Sequence, residues 1–258
     1  KSVFELYKPT LVFHAAAYKH VPLMEESPIE AIRTNVLGTH IVSKLCNTFK
    51  VKKMILVSSD KAVRPTNVMG ATKRMAERII QTAQKEFDST VFAAVRFGNV
   101  LGSHGSVIPL FRRQIEAGGP LTVTDKEVTR YFMTISESVS LILEAATFAK
   151  DGEIFVLDMG EPVRIVELAE KMIQLTGLKP YKDINIEFIG LRKGEKRFEE
   201  LILDKSMPKT HNPKIFIDPT KQALKNNWLE SINSLDELTE ESIIDYLRHQ
   251  DLNYNPKT

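Results

Sequence analysis

The chain has very little cysteine and no long apolar segment. Cys46 is the only cysteine among 258 residues, so a disulfide framework is excluded and a reducing compartment is expected. We interpret Cys46 as a small buried apolar residue rather than a reactive thiol. No apolar run approaches the roughly 20 residues that a membrane helix needs, and no secretory signal is visible. These absences predict a cytoplasmic protein with no membrane segment in this chain.

Several functional signatures are also missing. The charge balance is nearly even, with 35 basic and 33 acidic residues and no long Lys/Arg run, so nucleic acid binding is not indicated. The six histidines show no metal-ligand spacing, and no metal site is expected. A Gly-x-Ser-x-Gly nucleophile elbow is absent, which argues against a serine hydrolase.

The most consequential absence is that of a Gly-x-Gly-x-x-Gly turn, which seats a pyrophosphate in dinucleotide-binding folds. Gly98, Gly102 and Gly105 are wrongly spaced for it and are interpreted as a flexible loop on the substrate side. We expect that the natural protein is longer and that the phosphate-binding turn lies upstream. Without upstream strands, the strand that starts at Leu11 is expected to have an exposed edge.

What is present is an alternation of apolar strands and amphipathic helices. Strands are predicted at 11–17, 53–57 and 90–97, with a helix after Ser27 and another that contains Met69 and Lys73. Such an order is typical of a parallel sheet with crossover helices. Ser27 is the expected N-cap of the first helix, with Pro28 at its first position and Glu30 completing a capping box.

The second half of the chain is less regular. Further predicted helices are 107–117, 136–149 with Thr134 and Glu137 as a capping pair, 164–176 ending at Gly177, and 235–249 capped by Ser234. Further predicted strands are 121–124, 129–134, 153–157, 184–189 and 214–217.

The segment from Ser58 to Lys73 carries the strongest chemical signal. Ser59, Asp60 and Lys61 place a hydroxyl, an acid and an amine directly after an apolar strand, where parallel sheets bind ligands. Met69 and Lys73 follow at an i, i+4 spacing, so they share one face of a helix.

This segment resembles the active site of extended short-chain dehydrogenase/reductases, in which the last two positions are normally Tyr and Lys. With Met in place of Tyr, the chain resembles the capsule and polysaccharide-biosynthesis type of UDP-N-acetylglucosamine 4,6-dehydratase. The resemblance covers about residues 10–217, and further segments support it. These are 14–22, 34–36, 96–100, 129–134 and 192–196, where Lys193 stands in place of the usual Pro.

The resemblance implies a partial Rossmann-like, doubly wound α/β fold that lacks its first strands, with a small C-terminal α+β lobe. Residues 1–100 are expected to be the C-terminal part of the NAD-binding domain. Residues 101–258 are expected to form the nucleotide-sugar lobe, interleaved with the last sheet elements, and a helical tail.

The resemblance also implies a lyase that uses NAD to convert UDP-N-acetylglucosamine into its 4-keto-6-deoxy sugar. Hydride leaves carbon 4, water is eliminated across carbons 5 and 6, and hydride returns to carbon 6. Lys61 is the expected base at carbon 5 and a protonated Asp60 the expected acid, with the reverse assignment left open. Since Met69 has no acidic proton, Ser59 or a water held by Asp60 is expected to replace the missing Tyr. The 258 residues alone are expected to be inactive.

Other residues are assigned from the same resemblance. The expected cofactor-binding residues are Ala15, Ala16, Ala17, Asn35, Ser58, Lys73, Phe97 and Gly98. The expected substrate-binding residues are Lys19, His20, Asn99, Ser106, Val107, Arg130, Arg192 and Glu195. The expected partners are a UDP-sugar and further copies of the chain in a homo-oligomer, and the parent protein is expected to be membrane-anchored by analogy alone.

Two alternatives remain open. A nucleotide-sugar 4-epimerase on the same fold removes and returns hydride at one carbon and needs no acid/base pair for elimination. A non-catalytic NAD-fold module fits the missing Tyr and phosphate loop. The Asp60–Lys61 pair and the absent Tyr argue against the epimerase, and joint retention of Asp60, Lys61 and Lys73 argues against the non-catalytic module.

Overall fold

In the part of the chain that the structure describes, the fold consists of eleven short strands and a set of helices. The computed structural model describes residues 1–201, 207–224, 228, 230, 239–250 and 252–256. In chain order the strands are β1 Leu11–His14, β2 Lys53–Val57, β3 Val91–Arg96, β4 Asn99–Val100, β5 Leu121–Val123, β6 Thr129–Arg130, β7 Phe132–Met133, β8 Ile154–Leu157, β9 Val163–Arg164, β10 Ile186–Phe188 and β11 Ile215–Asp218. The α-helices are α1 Ser2–Tyr7, α2 Val21–Glu26, α3 Pro28–Ala31, α4 Gly38–Thr48, α5 Val68–Glu86, α6 Val107–Glu116, α7 Ile135–Phe148, α8 Ile165–Leu175 and α9 Glu240–His249.

The main sheet has five strands in the spatial order β1-β2-β3-β8-β11. The first four are parallel to one another, and β11 pairs antiparallel with β8. The three inner parallel strands, β2, β3 and β8, are short apolar runs that are mostly buried, as crossover helices require, whereas β1 at the edge is largely exposed. The predicted α/β class with a parallel sheet is therefore confirmed.

Helices cover both faces of this sheet. On one face, Cys46 of α4 and Ala76 and Ile80 of α5 pack against Met54 and Phe92 of the strands. On the other face, residues of α7 pack against side chains of β3 and β8. This two-sided packing is the doubly wound arrangement that was predicted, and it confirms Cys46 as a buried apolar residue, fully shielded from solvent.

Three small two-stranded ladders lie beside the main sheet. β4 pairs with β7 and β5 with β10, both in parallel, whereas β6 pairs antiparallel with β9. They bring the loop after β3 and the 192–199 segment toward the carboxyl ends of β2 and β3, as hydrogen bonds to Tyr131 and Arg197 show.

Several predicted boundaries need correction. The first strand ends at His14 rather than at residue 17, and the predicted strand 129–134 is interrupted at Tyr131. Ser27 does stand at a helix start, but its side chain makes no capping hydrogen bond, and α3 passes into a π-helical segment, Ile32–Leu37. The last helix begins at Glu240 with Thr239 as its cap, while the expected cap Ser234 lies outside the described residues.

A buried ion-pair cluster fixes the end of β2 to its neighbours. Arg96 of β3 contacts Glu77 of α5 at 2.6 Å and Asp218 of β11 at 2.7 Å. Ser58, the residue after β2, donates a hydrogen bond of 2.6 Å to Glu77. Burial alone would raise the pKa of Glu77, but Arg96 and Arg74 outweigh it and lower that pKa. The cluster therefore holds a charged carboxylate directly behind the segment that begins at Ser58.

Among the described residues, no helix is long and apolar enough to cross a membrane.

Candidate active site

A cleft of about 450 Å³ opens at the carboxyl ends of β2 and β3. This is the edge of a parallel sheet at which ligands bind, and the volume suits a small organic ligand. Most of the predicted site residues line it, namely Ala15, Ala17, Lys19, His20, Ser58, Ser59, Lys61, Met69, Lys73, Phe97, Gly98, Asn99, Ser106, Val107, Arg130, Arg192 and Glu195.

Lys61 lies at the centre of the acidic part of this cleft. Its Nζ is 3.0 Å from Asp60 Oδ1 and 3.3 Å from Glu199 Oε1, and its side chain keeps only 17% of its surface exposed. Burial favours the neutral amine, but Asp60 and Glu199 together outweigh burial and raise the pKa of Lys61. The group that faces the cleft is thus an ammonium.

Asp60 lies directly behind Lys61 rather than on the cleft wall. Its carboxylate is almost fully buried, and Oδ1 accepts hydrogen bonds from Ser59 Oγ at 2.9 Å and from Lys61 Nζ at 3.0 Å. Ser59 Oγ accepts in turn from the Lys61 backbone N–H at 3.2 Å, which caps the short 3₁₀ turn that starts at Asp60. Asp60 Oδ2 is buried and has no hydrogen-bond partner among the described residues.

Met69 and Lys73 share one face of α5, as their spacing predicts. Asn67 caps this helix by accepting a hydrogen bond of 2.7 Å from the Gly70 N–H. Lys73 is buried, and its Nζ donates to the Val57 carbonyl at 2.9 Å. Burial lowers the pKa of Lys73 to about 8, against an opposing effect of Glu77. A lysine of this kind gives up its proton far more easily than a surface lysine.

Two of the predicted cofactor-binding residues do not line the cleft. Asn35 lies in the π-helical segment, where its side chain holds the Tyr18 backbone through N–H and C=O contacts of 2.8 and 3.0 Å and bonds to Thr72 at 3.0 Å. Ala16 is also absent from the lining. In this structure Asn35 therefore positions the 15–20 loop against α5.

A second group of residues that line the cleft is basic. Lys19 and His20 both have lowered pKa values, caused first by burial and then by nearby cations, Lys61 for Lys19 and Lys19 for His20. A Cβ on Gly105, whose φ is +69°, would approach the His20 ring to 2.6 Å, so the 98–106 loop packs directly on His20. Ser106 Oγ is buried without a hydrogen-bond partner among the described residues, at the start of α6.

The two arginines predicted to bind substrate, Arg130 and Arg192, differ in how free they are to bind a ligand. Arg130 is buried and already engaged, with Nη2 at 3.0 Å from Glu195 and Nη1 donating to the Thr129 carbonyl. Arg192 keeps 58% of its side chain exposed and has a longer contact of 3.4 Å to Glu195. Arg192 is therefore the more available of the two for an incoming ligand.

Glu199 is the site residue that sequence reasoning missed. It is buried, lines the cleft and contacts both Lys61 and Arg130, the latter at 3.7 Å. Glu199 and Glu200 are adjacent and chemically identical, so no spacing rule separates them. Only the backbone path after Gly194 places Glu199 inside and Glu200 beside Arg64.

The doubly wound sheet and the paired Met69 and Lys73 at its cleft define an extended short-chain dehydrogenase/reductase type of domain. The chain belongs to the family described as "Polysaccharide biosynthesis protein", whose model matches residues 1–220. This confirms the family predicted from the sequence motifs.

Curated relatives agree with this family but are longer. The capsular polysaccharide biosynthesis protein CapD of Staphylococcus aureus is 58% identical over 200 residues, which is 78% of this chain and 33% of CapD. A UDP-glucose 4-epimerase of Rickettsia bellii is 42% identical, over 78% of this chain and 58% of that protein. The chain thus spans about a third of CapD's length and a little over half of the epimerase's.

Two solved structures are similar in fold. Pen from Bacillus thuringiensis superposes with a TM-score of 0.74 at 43% identity, covering 83% of this chain and 67% of Pen. MoeE5, solved in complex with UDP-glucuronic acid and NAD, gives a TM-score of 0.63 at 25% identity, covering 73% of this chain and 68% of MoeE5.

Proposed function

We propose that the protein catalyses the NAD-dependent dehydration of UDP-N-acetylglucosamine to its 4-keto-6-deoxy sugar, for polysaccharide biosynthesis. The observation that carries this proposal is the Lys61 ammonium, held between two buried carboxylates at the cleft, next to Met69 rather than Tyr. Elimination of water needs a proton donor and a proton acceptor side by side, and this cluster supplies both. The activity is assigned to the full-length protein that carries this chain.

Lys73 suits the ribose of a nicotinamide nucleotide. An ammonium has three N–H donors, and the Val57 carbonyl accepts only one of them. The remaining donors lie at the cleft wall, where they can bind two neighbouring hydroxyls. NAD, which MoeE5 also binds, would accept hydride from carbon 4 of the sugar and return it to carbon 6. The lowered pKa of Lys73 suits this place, because a cationic ring nearby is tolerated better by a weakly basic amine.

Lys61 is proposed to protonate the departing 6-hydroxyl. Its raised pKa keeps the proton on the amine at neutral pH, so it can donate but has no lone pair with which to accept. This reverses the role that the sequence resemblance suggested for Lys61, within the alternatives left open there. Asp60, bonded to both Ser59 and Lys61, fixes the direction in which the ammonium points.

The basic residues that line the cleft are proposed to bind the UDP diphosphate. Arg192 can bind phosphate in bidentate fashion, Val107 at the start of α6 offers a backbone N–H outside the hydrogen bonds of the helix, and Ser106 offers an unpartnered hydroxyl. Lys19 and His20 add donors in the same cleft.

One assay tests the reaction. The full-length protein is incubated with NAD and UDP-N-acetylglucosamine, and the nucleotide sugar is analysed by mass spectrometry and NMR. A product lighter by one water, with a new methyl group, is the expected result. Lys61→Met should reduce kcat by about 10²- to 10⁴-fold, the usual value of a general acid or base, whereas the exposed Lys214→Met should not change it.

The competing activity is 4-epimerisation, which the name of the Rickettsia relative favours. An epimerase would return a sugar of unchanged mass with the opposite configuration at carbon 4. No turnover with several UDP-sugars would instead identify a binding module. Either result would replace the dehydratase proposal.

A further inference from the structure

Glu199 is a buried carboxylate, and only one of its two oxygens contacts a polar group among the described residues. Its side chain is only 3% exposed, and Oε1 contacts Lys61 Nζ at 3.3 Å and Arg130 Nε at 3.7 Å. Oε2 is buried and has no hydrogen-bond partner among the described residues. Buried carboxylate oxygens are normally paired, so an unpaired one on a residue that lines a cleft can accept a hydrogen bond or a proton from a bound molecule.

The cluster contains two such oxygens, and they differ in access. Asp60 Oδ2 and Glu199 Oε2 are both unpartnered, on the two carboxylates that hold Lys61. Glu199 lines the cleft, whereas Asp60 does not. A sugar in the cleft can therefore reach Glu199 while Asp60 stays behind Lys61.

We propose that Glu199 is the base that removes the proton from carbon 5 of the sugar, with Lys61 as its partner acid. This assignment rests on the proposed dehydratase function. Glu199 and Lys61 both line the cleft, and Glu199 Oε1 lies 3.3 Å from Lys61 Nζ, so the proton acceptor and the proton donor are direct neighbours. Such a pair can serve neighbouring carbons of one ring.

The step balances as follows. The Glu199 carboxylate takes the proton from carbon 5, and the electrons of that C–H bond form the double bond to carbon 6. The bond from carbon 6 to its oxygen breaks, and Lys61 gives this oxygen a proton, so that water leaves. After hydride returns to carbon 6, protonated Glu199 gives its proton back to carbon 5. The proton that leaves the 4-hydroxyl during the earlier oxidation passes to water, and water returns a proton to Lys61 after the elimination, so no net proton is gained or lost.

The Lys61 ammonium also stabilises the Glu199 carboxylate between catalytic cycles. Removing the charge of Glu199 removes one of the two carboxylates that favour protonated Lys61. Glu199→Gln keeps the shape of the side chain, so it separates the charge of Glu199 from its packing.

The test compares Glu199→Gln with Glu200→Gln in the full-length protein. Glu200 is the next residue in the chain, pairs with Arg64 and does not line the cleft, so it is a matched control. Trapping the sugar by reduction with borodeuteride shows whether it has been oxidised at carbon 4 and whether it has lost water.

Glu199→Gln should still oxidise carbon 4 but accumulate the 4-keto sugar with its 6-hydroxyl intact, with kcat for dehydration lower by about 10²- to 10⁴-fold. Glu199→Asp should recover part of this loss. Glu200→Gln should behave as the wild type. A purely structural role for Glu199 would slow oxidation and elimination together, and that result would overturn the proposal.

A second readout needs no turnover. The pKa of Lys61, followed by NMR of a selectively ¹³C-labelled lysine in the 258-residue chain, should fall in Glu199→Gln and stay unchanged in Glu200→Gln. An unchanged value in Glu199→Gln would contradict the placement of Glu199. If the wild type makes no 4-keto-6-deoxy sugar, the proposed function and the base assignment both fail. If the wild type makes this sugar and Glu199→Gln eliminates water at the same rate, the proposed function holds and only the assignment of Glu199 as the base fails.

Discussion

The effect of the buried Lys73 amine on the free energy of unfolding can be measured. Its pKa is lowered from 10.5 to about 8. Between these two pH values the unfolded chain keeps the Lys73 proton while the folded chain loses it. The free energy of unfolding should therefore rise as pH increases from about 8 to 10.5. Below that window the buried ammonium destabilises the fold by on the order of 3 kcal/mol.

Lys73→Met should consequently be more stable than the wild type at pH 7. The loss of the bond to the Val57 carbonyl offsets about 1 kcal/mol of the gain, and the net difference should shrink toward pH 10.5. Urea denaturation at pH 7 and pH 10 measures it. Lys85→Met, exposed on the same helix, should change stability by less than about 0.5 kcal/mol at either pH. If Lys73→Met is less stable than the wild type at pH 7, the buried amine does not destabilise the folded state.

At the residue scale, the sequence predicted the neighbouring Asp60 and Lys61 but not the distant residues that pair with the site. Lys61 and Asp60 are adjacent in the chain, and their contact follows from the turn after β2. The raised pKa of Lys61 depends first on Asp60 and then on Glu199, which is 138 positions further on and reaches Lys61 only through tertiary structure. For the same reason, the pairing of Arg130 with Glu195 was not foreseen when both were assigned to the substrate.

At the scale of elements, the close packing of α5 on the 3₁₀ turn Asp60–Ala62 can be tested at Gly70. A Cβ at Gly70 would lie 2.3 Å from the Lys61 carbonyl oxygen, which is backbone and cannot rotate away. Gly70→Ala should therefore separate α5 from the turn, although alanine favours helix by about 1 kcal/mol. We expect a loss of about 1 to 3 kcal/mol, the range for an overpacked core, together with loss of activity.

Gly38→Ala provides the matched control. Gly38 is also helical, and the nearest atom to its added Cβ is 3.7 Å away. Without a clash the helix propensity decides, so this variant should gain about 0.5 to 1 kcal/mol. Thermal denaturation of both variants gives the comparison, and a stabilised Gly70→Ala would disprove the close approach.

Elements with a strong local pattern were predicted well. β2 was predicted at its observed bounds because an apolar run between a lysine and two serines leaves little choice. The cap of α7 is formed by Thr134, whose hydroxyl accepts from the Glu137 N–H at 3.2 Å. The π-helical segment Ile32–Leu37 was not predictable, since its extra residue per turn has no signature in hydrophobic spacing.

At the scale of the whole molecule, the parallel sheet and its cleft followed from the alternation of strands and helices, and the resemblance implied that the second half of the chain is interleaved with the last sheet elements. The order of the strands and the pairing of the short ladders were not predicted. β8 and β11, from the second half of the chain, complete the sheet begun by β1 to β3. The three two-stranded ladders depend on contacts between distant segments, and short strands of two or three residues carry almost no periodicity.

The exposed edge of the sheet governs how the 258-residue chain behaves in solution. Among the described residues, β1 pairs only with β2, and Leu11 and Phe13 on this strand are 51% and 38% exposed. The adjacent α1 buries none of its residues and exposes Leu6 and Tyr7. Free backbone groups beside an apolar surface favour pairing with a second strand.

We therefore expect the chain to self-associate through β1 as its concentration rises. The double variant Leu11→Lys/Phe13→Lys should remain monomeric, because charged side chains on an edge strand oppose pairing with another copy. Leu175→Lys, at the most exposed apolar residue of α8, should self-associate like the wild type. Light scattering with size-exclusion chromatography, across a range of concentrations, measures the mass of each variant. A wild-type chain that stays monomeric throughout would show that this edge is protected, and equal masses for the two lysine variants would place the contact elsewhere.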